Sequence, residues 1–258
     1  MRDLWSNLAE IRGRVAPQTR LLFLMDFDGT LSPLAEAPEN AHLPEDVRQT
    51  LSRLADRPCA QVAILSGRPL DYLTTVFHAP SFFYGGNHGL EMEGPDFSFQ
   101  HPGACALRGV VQELAGKFRE QLATVPGALL ENKGLSLALH YRNVPSARHR
   151  ELEALIEAFK KETAGLPVQW RHGIKVWELL PLVDWDKGCA TTALLKRLEF
   201  PFPIAMGDDR TDADMFDALS GNGITVQVGN DCDLHAQFSL PIQSDVPRFL
   251  AFLEETLR

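Results

Sequence analysis

The run Leu21-Leu22-Phe23-Leu24-Met25 contains no polar residue and stops abruptly at Asp26-Phe27-Asp28-Gly29-Thr30. An unbroken apolar run of this length, bounded by polar and turn-forming residues, is the pattern of a strand buried on both faces of a parallel sheet. Its polar end then marks the carboxyl edge of that sheet. Side chains two positions apart in extended backbone project to the same side, so Asp26 and Asp28 are expected to face one pocket.

The flanking sequence supplies the rest of such a sheet. Residues 44–57 have helical periodicity, with Pro44 placed to open the helix, and Ala60-Gln61-Val62-Ala63-Ile64-Leu65 reads as a second buried strand ending at Ser66-Gly67-Arg68. Strand, helix, strand in this order predicts βαβ units, hence an α/β fold with a Rossmann-like core. Residues 90–100 suggest a small hairpin turning at Gly94-Pro95.

The pattern then changes. A helix over 104–122, two strands around Glu131-Asn132-Lys133-Gly134, a helix over 146–163 and two strands around Arg171-His172-Gly173 give the order αββαββ, a separate α+β layer. Helical spacing resumes at 186–198. The short run Pro203-Ile204-Ala205-Met206 ends in Gly207-Asp208-Asp209, and a helix, a strand over 223–228 and a last helix opened by Ser244 follow. The expected organisation is a core of residues 1–102 and 182–258 carrying an insert at 103–181, joined by short hinges.

Composition narrows the function. A formal net charge of -9 and a pI near 5.4 exclude a protein that holds nucleic acid along a basic face. An acidic chain that handles phosphate must concentrate positive charge locally, through a metal or a few placed lysines and arginines. Cys59, Cys105, Cys189 and Cys232 form no C-x-x-C pair, which suits a reducing cytoplasm better than a zinc cage or a disulfide framework. Residues 1–15 have no continuous apolar core of the kind found in signal peptides, and no segment approaches membrane-span length. Neither G-x-x-x-x-G-K-[ST] nor a strand-linked G-x-G-x-x-G occurs.

Two close carboxylates are costly unless a cation lies between them or one is protonated, and both conditions suit phosphoryl transfer. Asp26 is placed to attack phosphorus, and Asp28 to protonate the leaving oxygen and later activate water. Alone, D-x-D-G-T is more economically read as a polar strand end entering a glycine turn; three further elements change the balance. Ser66-Gly67-Arg68 offers a hydroxyl and backbone N–H groups before a helix, suited to phosphate oxygens. Lys187, within Trp185-Asp186-Lys187-Gly188, can neutralise the phosphate and the attacking carboxylate, although a lone lysine there is ordinarily solvated. The cluster Gly207-Asp208-Asp209-Arg210-Thr211-Asp212 calls for a hard cation. Magnesium, with its octahedral oxygen preference, is expected to take Asp26, the Asp28 carbonyl and Asp208, with Asp212 ligating through water or orienting Lys187. Asp209 serves equally well as part of this cluster or as a helix cap.

These four elements in this order resemble the haloacid dehalogenase superfamily, which implies a Rossmann-like core with a mobile cap, and the insert resembles the larger cap type that follows the third core strand. The segments Tyr84-Gly85-Gly86-Asn87-His88-Gly89-Leu90-Glu91, 131–142, Trp185-Asp186-Lys187-Gly188 and 207–216 are similar to trehalose-6-phosphate phosphatases in particular. That resemblance implies a magnesium-dependent phosphomonoesterase hydrolysing trehalose 6-phosphate through an aspartyl phosphate on Asp26. It implies that Glu131, Lys133 and Glu178 grip the sugar remote from the phosphate, with Asn87 and His88 lining the pocket from the core side. On the residues alone, Asn132-Lys133-Gly134 is a solvated hairpin turn, and His140, Arg142, His172 and Lys175 fit either a cleft or an exposed face. The family commonly has an arginine before the proline where this chain has Leu180-Pro181. The expected partner is a small-molecule sugar phosphate, with no nucleic acid, no membrane and a monomeric state. A sister phosphatase for a sucrose- or mannosylglycerate-type substrate, and a non-catalytic sugar-phosphate sensor, are the competing readings.

Overall fold

The computed structural model describes residues 1–35, 40–173, 175–219, 221–230 and 234–258. Contacts divide the chain into two compact units, Met1–Phe99 with Trp185–Arg258, and Gln100–Asp184. In chain order the elements are β1 (Arg2–Asp3), α1 (Leu8–Val15), β2 (Leu21–Met25), α2 (Glu45–Ala55), β3 (Ala60–Leu65), α3 (Leu70–Phe77), β4 (Phe83–Gly86), β5 (Glu91–Gly94) and β6 (Phe97–Gln100). They continue with α4 (Pro102–Ala106), α5 (Arg108–Leu122), β7 (Leu129–Asn132), β8 (Leu137–His140), α6 (His149–Glu162), β9 (Val168–Gly173) and β10 (Val176–Pro181). The chain then completes the first unit with α7 (Lys187–Arg197), β11 (Phe202–Gly207), α8 (Arg210–Ala218), β12 (Ile224–Val228), β13 (Phe238–Leu240) and α9 (Val246–Thr256).

The larger sheet has the order β1-β13-β12-β11-β2-β3-β4-β5-β6. It is parallel from β1 to β4 and turns antiparallel at β5. The apolar run of β2 explains its central place. Leu21, Phe23 and Met25 enter one core with residues of α1, α2, α3 and α9, while Leu22 and Leu24 enter a second core with Ala190, Leu194, Met215 and Phe216 of α7 and α8. All five residues are buried, as a strand covered by helices on both faces requires. From β2 the chain proceeds outward through β3 and β4, yet β11 pairs with β2 on its other side, so the order reverses there. The carboxyl ends of strands at such a reversal form the crevice where open α/β sheets bind ligands.

The second unit is a four-stranded antiparallel sheet, β7-β8-β10-β9, with α5 and α6 packed on one face. Leu130, Leu137, Leu139, Leu179 and Trp170 alternate along the strands and meet Val111, Phe118, Ile156 and Phe159 of the helices. Phe118 and Phe159 stack with centroids 3.8 Å apart.

Two expectations are corrected. The helix expected over 104–122 is broken at Leu107, whose N–H bonds the carbonyls of both Ala104 and Cys105, tightening the last turn of α4 before α5 begins. Ser244 does not open the last helix: it sits in a 3-10 turn, Gln243–Asp245, and α9 starts at Val246 with Pro247 in its first turn, where the missing N–H costs nothing.

Phe23 is fully buried at the centre of this arrangement. Phe23→Ala is expected to lower stability by about 3–5 kcal/mol, measured as a shift in the urea midpoint. The same truncation at Leu182, which is 60% exposed, should leave the midpoint unchanged; equal effects would refute the packing described.

Candidate active site

Asp26 immediately follows β2, and its N–H bonds the carbonyl of Met206 on β11, so the two strand ends are locked side by side. The chain then turns tightly: Gly29 N–H bonds Ser32 O at 2.8 Å and Ser32 N–H bonds Phe27 O at 2.8 Å. Gly29 has φ +84, and a Cβ there would lie 2.0 Å from Oδ2 of Asp208. Glycine is therefore what lets the Asp208 carboxylate from the end of β11 approach the turn after β2. Gly207 plays the same part toward Asp212, whose side chain fills the space where a Cβ would be.

The centre of the site is Lys187, at the first position of α7. Asp186 caps that helix by accepting the Cys189 N–H at 2.8 Å, which fixes the backbone from which Lys187 projects. The Lys187 ammonium donates to Asp26 Oδ1 and to Asp212 Oδ1, both at 2.7 Å, and the three side chains are 2%, 7% and 0% exposed. Asp212 Oδ2 accepts the N–H groups of Asp208 and Asp209 at 3.0 Å. Both Asp212 oxygens thus have donors. Asp209 caps α8, with Asp212 completing a capping box, so of the two readings open to Asp209 the helix cap is the one observed.

Asp26, Asp208 and Asp212 bring carboxylate oxygens within 4.8 Å of one another. Burial pushes the Asp26 carboxyl up to about 7, opposed by Lys187 and reinforced by Asp212 and Asp28. Burial likewise pushes Asp208 up to about 9, with the charges of Asp26 and Asp212 adding to it. Burial works against the charge of Lys187, but Asp212 and Asp26 outweigh it and hold the ammonium above its ordinary range. One ammonium does not balance three carboxylates. A hard divalent cation with oxygen preference fits this donor set, and Asp26 and Asp208 are the two carboxylates whose charge still calls for it.

Asp28 stands apart from this group. Its carboxylate receives Arg68 Nε at 2.7 Å and an Arg68 terminal nitrogen at 2.6 Å, a two-point contact, and the guanidinium lies over the Tyr72 ring at 4.8 Å. Ser66 is buried at the end of β3. Its hydroxyl accepts the Arg68 N–H at 3.2 Å, and the Leu70 N–H donates to Glu91 at 3.1 Å. Of the N–H groups expected from Ser66-Gly67-Arg68, that of Arg68 and that of Ser66, which bonds Gly85 O at 2.9 Å, are therefore already engaged. Glu91, on β5, which holds the Leu70 N–H, also accepts from the amide of Asn87 at 2.8 Å. Asn87 is fully buried, and His88, with φ 59, lays its ring against Gly67. Trp185 ties this loop to the start of α7 by donating to Gly89 O at 2.8 Å. A depression of about 360 Å³ lined by Gly29, Asp208, Gly229 and Gln243 opens beside the carboxylates.

In the second unit the structure brings Lys133 to Glu178 at 2.9 Å and His140 to Glu131 at 2.9 Å. Glu131 and Glu178 both pair with Ala138 across the sheet and so share one face. Glu91, Trp185 and Gln243, which donates to Thr30 O at 2.9 Å, were not singled out as site residues from sequence. Glu91 and Trp185 do lie within stretches that stood out there. Gln243 carried no local signal, because its role comes from a long-range contact.

A haloacid dehalogenase-like hydrolase from Bacteroides thetaiotaomicron matches 90% of this chain and 98% of its own with a TM-score of 0.63 at 16% identity, and the fold is of that class. The family model described as Trehalose-phosphatase matches residues 24–238, and the chain belongs to that family. The trehalose-phosphate phosphatase of Mycobacterium tuberculosis is 35% identical over 99% of this chain and 66% of its own length. The chain thus spans about two thirds of that relative. The C-terminal domain of Candida albicans trehalose-6-phosphate phosphatase covers all of this chain, with 98% of its own matched, at a TM-score of 0.80 and 23% identity.

The raised carboxyls set a pH dependence. Asp26 and Asp208 bind protons more tightly folded than unfolded, so without a cation stability falls as pH rises from the ordinary value of 3.8 through about 7 and about 9. A divalent cation held by these carboxylates would displace those protons, and magnesium is the ion to test. The gain in melting temperature on adding it is expected to be several degrees larger at about pH 8 than at about pH 5; equal gains in thermal scans would refute the account of the cluster.

Proposed function

We propose that this chain hydrolyses trehalose 6-phosphate to trehalose and inorganic phosphate through an aspartyl-phosphate intermediate on Asp26. The observation that carries this is the buried Lys187 held between Asp26 and Asp212 beside Asp208, in a chain of the trehalose-phosphatase family. Residues 1–102 and 182–258 form the catalytic core in this reading and 103–181 the cap.

Magnesium is the cation we assign, held by Asp26, the Asp28 carbonyl and Asp208, where it supplies charge neutralisation for the phosphoryl oxygens. Lys187 keeps the attacking oxygen of Asp26 oriented and offsets the charge gathering on the phosphate. Asp212, with both oxygens occupied by N–H donors, positions Lys187. Asp26 attacks phosphorus as the sugar oxygen leaves and takes a proton from Asp28; Asp28 then removes a proton from water, which attacks the aspartyl phosphate and releases phosphate. Arg68 sets the orientation of Asp28 through its two-point contact, and Ser66 holds the backbone turn beside it. The role for Asn87 is to hold the His88 loop, since its amide is engaged by Glu91. Glu131, Lys133 and Glu178 grip the hydroxyls of the sugar that carries no phosphate, where buried polar groups discriminate strongly against substrates that leave them unpaired.

No helix among the described residues is long and apolar enough to cross a membrane, and Cys59 and Cys105 are free thiols. A reducing cytoplasm suits them, and we place a monomeric enzyme there.

Phosphate release should be magnesium-dependent, suppressed by a chelator, and faster from trehalose 6-phosphate than from sucrose 6-phosphate, glucose 6-phosphate or a mannosyl phosphoglycerate. Release from none of them would remove the proposal; preference for another would leave the core chemistry and remove the sugar assignment. Asp26→Asn should lower kcat by at least about 10³-fold, as expected for loss of a covalent nucleophile. Lys133→Ala should lower kcat/KM for trehalose 6-phosphate about 10- to 100-fold, the scale of a hydrogen bond to a charged group, while sparing a small aryl phosphate. Equal losses on both substrates would exclude a sugar-gripping role.

A further inference from the structure

The face of the second unit's sheet that turns away from α5 and α6 holds a residue not yet accounted for. Across its four strands, Glu131, Ala138, Glu178 and Arg171 stand in register as one row. Directly opposed residues in an antiparallel sheet share a face, so the row reads carboxylate, methyl, carboxylate, guanidinium. The alternate residues Leu130, Leu139, Leu179 and Trp170 point the other way, into the helix-packed core.

The charges on this face are not equally committed. Glu178 accepts from Lys133 and Glu131 meets His140. Arg171 lies directly across from Glu178, whose Oε1 accepts from Lys133, and among the described residues no hydrogen bond or ion pair engages Arg171. It is nevertheless only half-exposed. A charge on an edge strand ordinarily serves to discourage strand pairing with another chain, and such a residue stands out in solvent. A half-buried arginine in register across from Glu178, with its N–H donors unengaged among the described residues, is better suited to an acceptor that arrives with a ligand. Its planar fork matches a pair of neighbouring hydroxyls, whereas Glu131 and Glu178 only accept hydrogen bonds.

We propose that Arg171 is a specificity-determining residue that donates hydrogen bonds to hydroxyls of the sugar ring lacking the phosphate, extending the Glu131, Lys133 and Glu178 face outward onto β9. The inference rests on the reading of the chain as a disaccharide-phosphate phosphatase.

The test compares Arg171→Gln and Arg171→Lys with the unaltered chain on trehalose 6-phosphate and on a small aryl phosphate, with melting temperatures recorded alongside. Arg171→Gln should lower kcat/KM for trehalose 6-phosphate about tenfold or more, the scale for one charge-assisted hydrogen bond. The aryl phosphate should change less than about twofold, the melting temperature should hold, and Arg171→Lys should recover part of the loss. If trehalose 6-phosphate turnover is unchanged while Lys133→Ala lowers it, the sugar reading stands and Arg171 is an edge charge only. Parallel losses on both substrates would make it a structural residue and overturn the proposal. If the unaltered chain shows no preference for the disaccharide phosphate, the functional reading fails before any variant is made, and this inference falls with it.

Discussion

The ammonium of Lys187 lies between Asp26 and Asp212 with almost no access to water, and the arrangement around it depends on that placement. Taking an ammonium and carboxylates out of water costs several kcal/mol per ion, of which close pairing returns only part. Each local feature serves the pairing: Asp186 caps α7 so that Lys187 is its first residue, and Asp212 completes the cap of α8 while holding the ammonium. Gly29 and Gly207 remove the side chains that would otherwise keep the carboxylates apart. The excess negative charge that remains, seen in the raised Asp26 and Asp208 carboxyls, makes the site a trap for a hard cation.

The sheet delivers these groups because β2 and β11 are neighbours whose connections run in opposite directions. Burial of β2 on both faces requires helices on either side, and those helices begin or end beside the strand termini. Asp26 and Asp208 emerge from paired strands, joined by the bond from Asp26 N–H to Met206 O. Lys187 and Asp212 come from the helices covering one face of the same sheet. The mixture of strand-borne carboxylate and helix-borne ammonium follows from that packing and requires no unusual backbone apart from the glycine turn.

Much of this was legible in sequence, for identifiable reasons. The uniform run Leu21–Met25 and the alternation of the second unit's strands carry strong periodic signals, and the carboxylate clusters stand at strand ends where turn residues mark them. What escaped has physical causes too. β4, Phe83–Gly86, has two glycines in four residues and shows no alternation, while β1 and β13 are too short to have a period and owe their existence to pairing with each other and with β12. The break at Leu107 is easily passed over, because its immediate neighbours Ala106 and Arg108 are good helix formers and only Gly109 beyond them weakens the run. The pairing of Asp28 with Arg68, and of Glu91 with both Asn87 and the start of α3, joins residues from different elements. Spacing arguments within one strand could suggest that Asp26 and Asp28 face the same way, but not that they take different cationic partners.

The alternation in the second unit also bears on how such a chain can change over time. Along β7, β8, β9 and β10, every other side chain holds the helices in place, and those between them make no contribution to that hydrophobic packing. Positions 131, 171 and 178 can therefore be rewritten together, in charge and in size, around the fully buried Ala138, while Leu130, Leu139, Trp170 and Leu179 keep the layer folded. The period of a β-strand thus separates two kinds of heritable variation, one filtered by folding and the other by ligand, and lets a lineage explore the second with little exposure to the first.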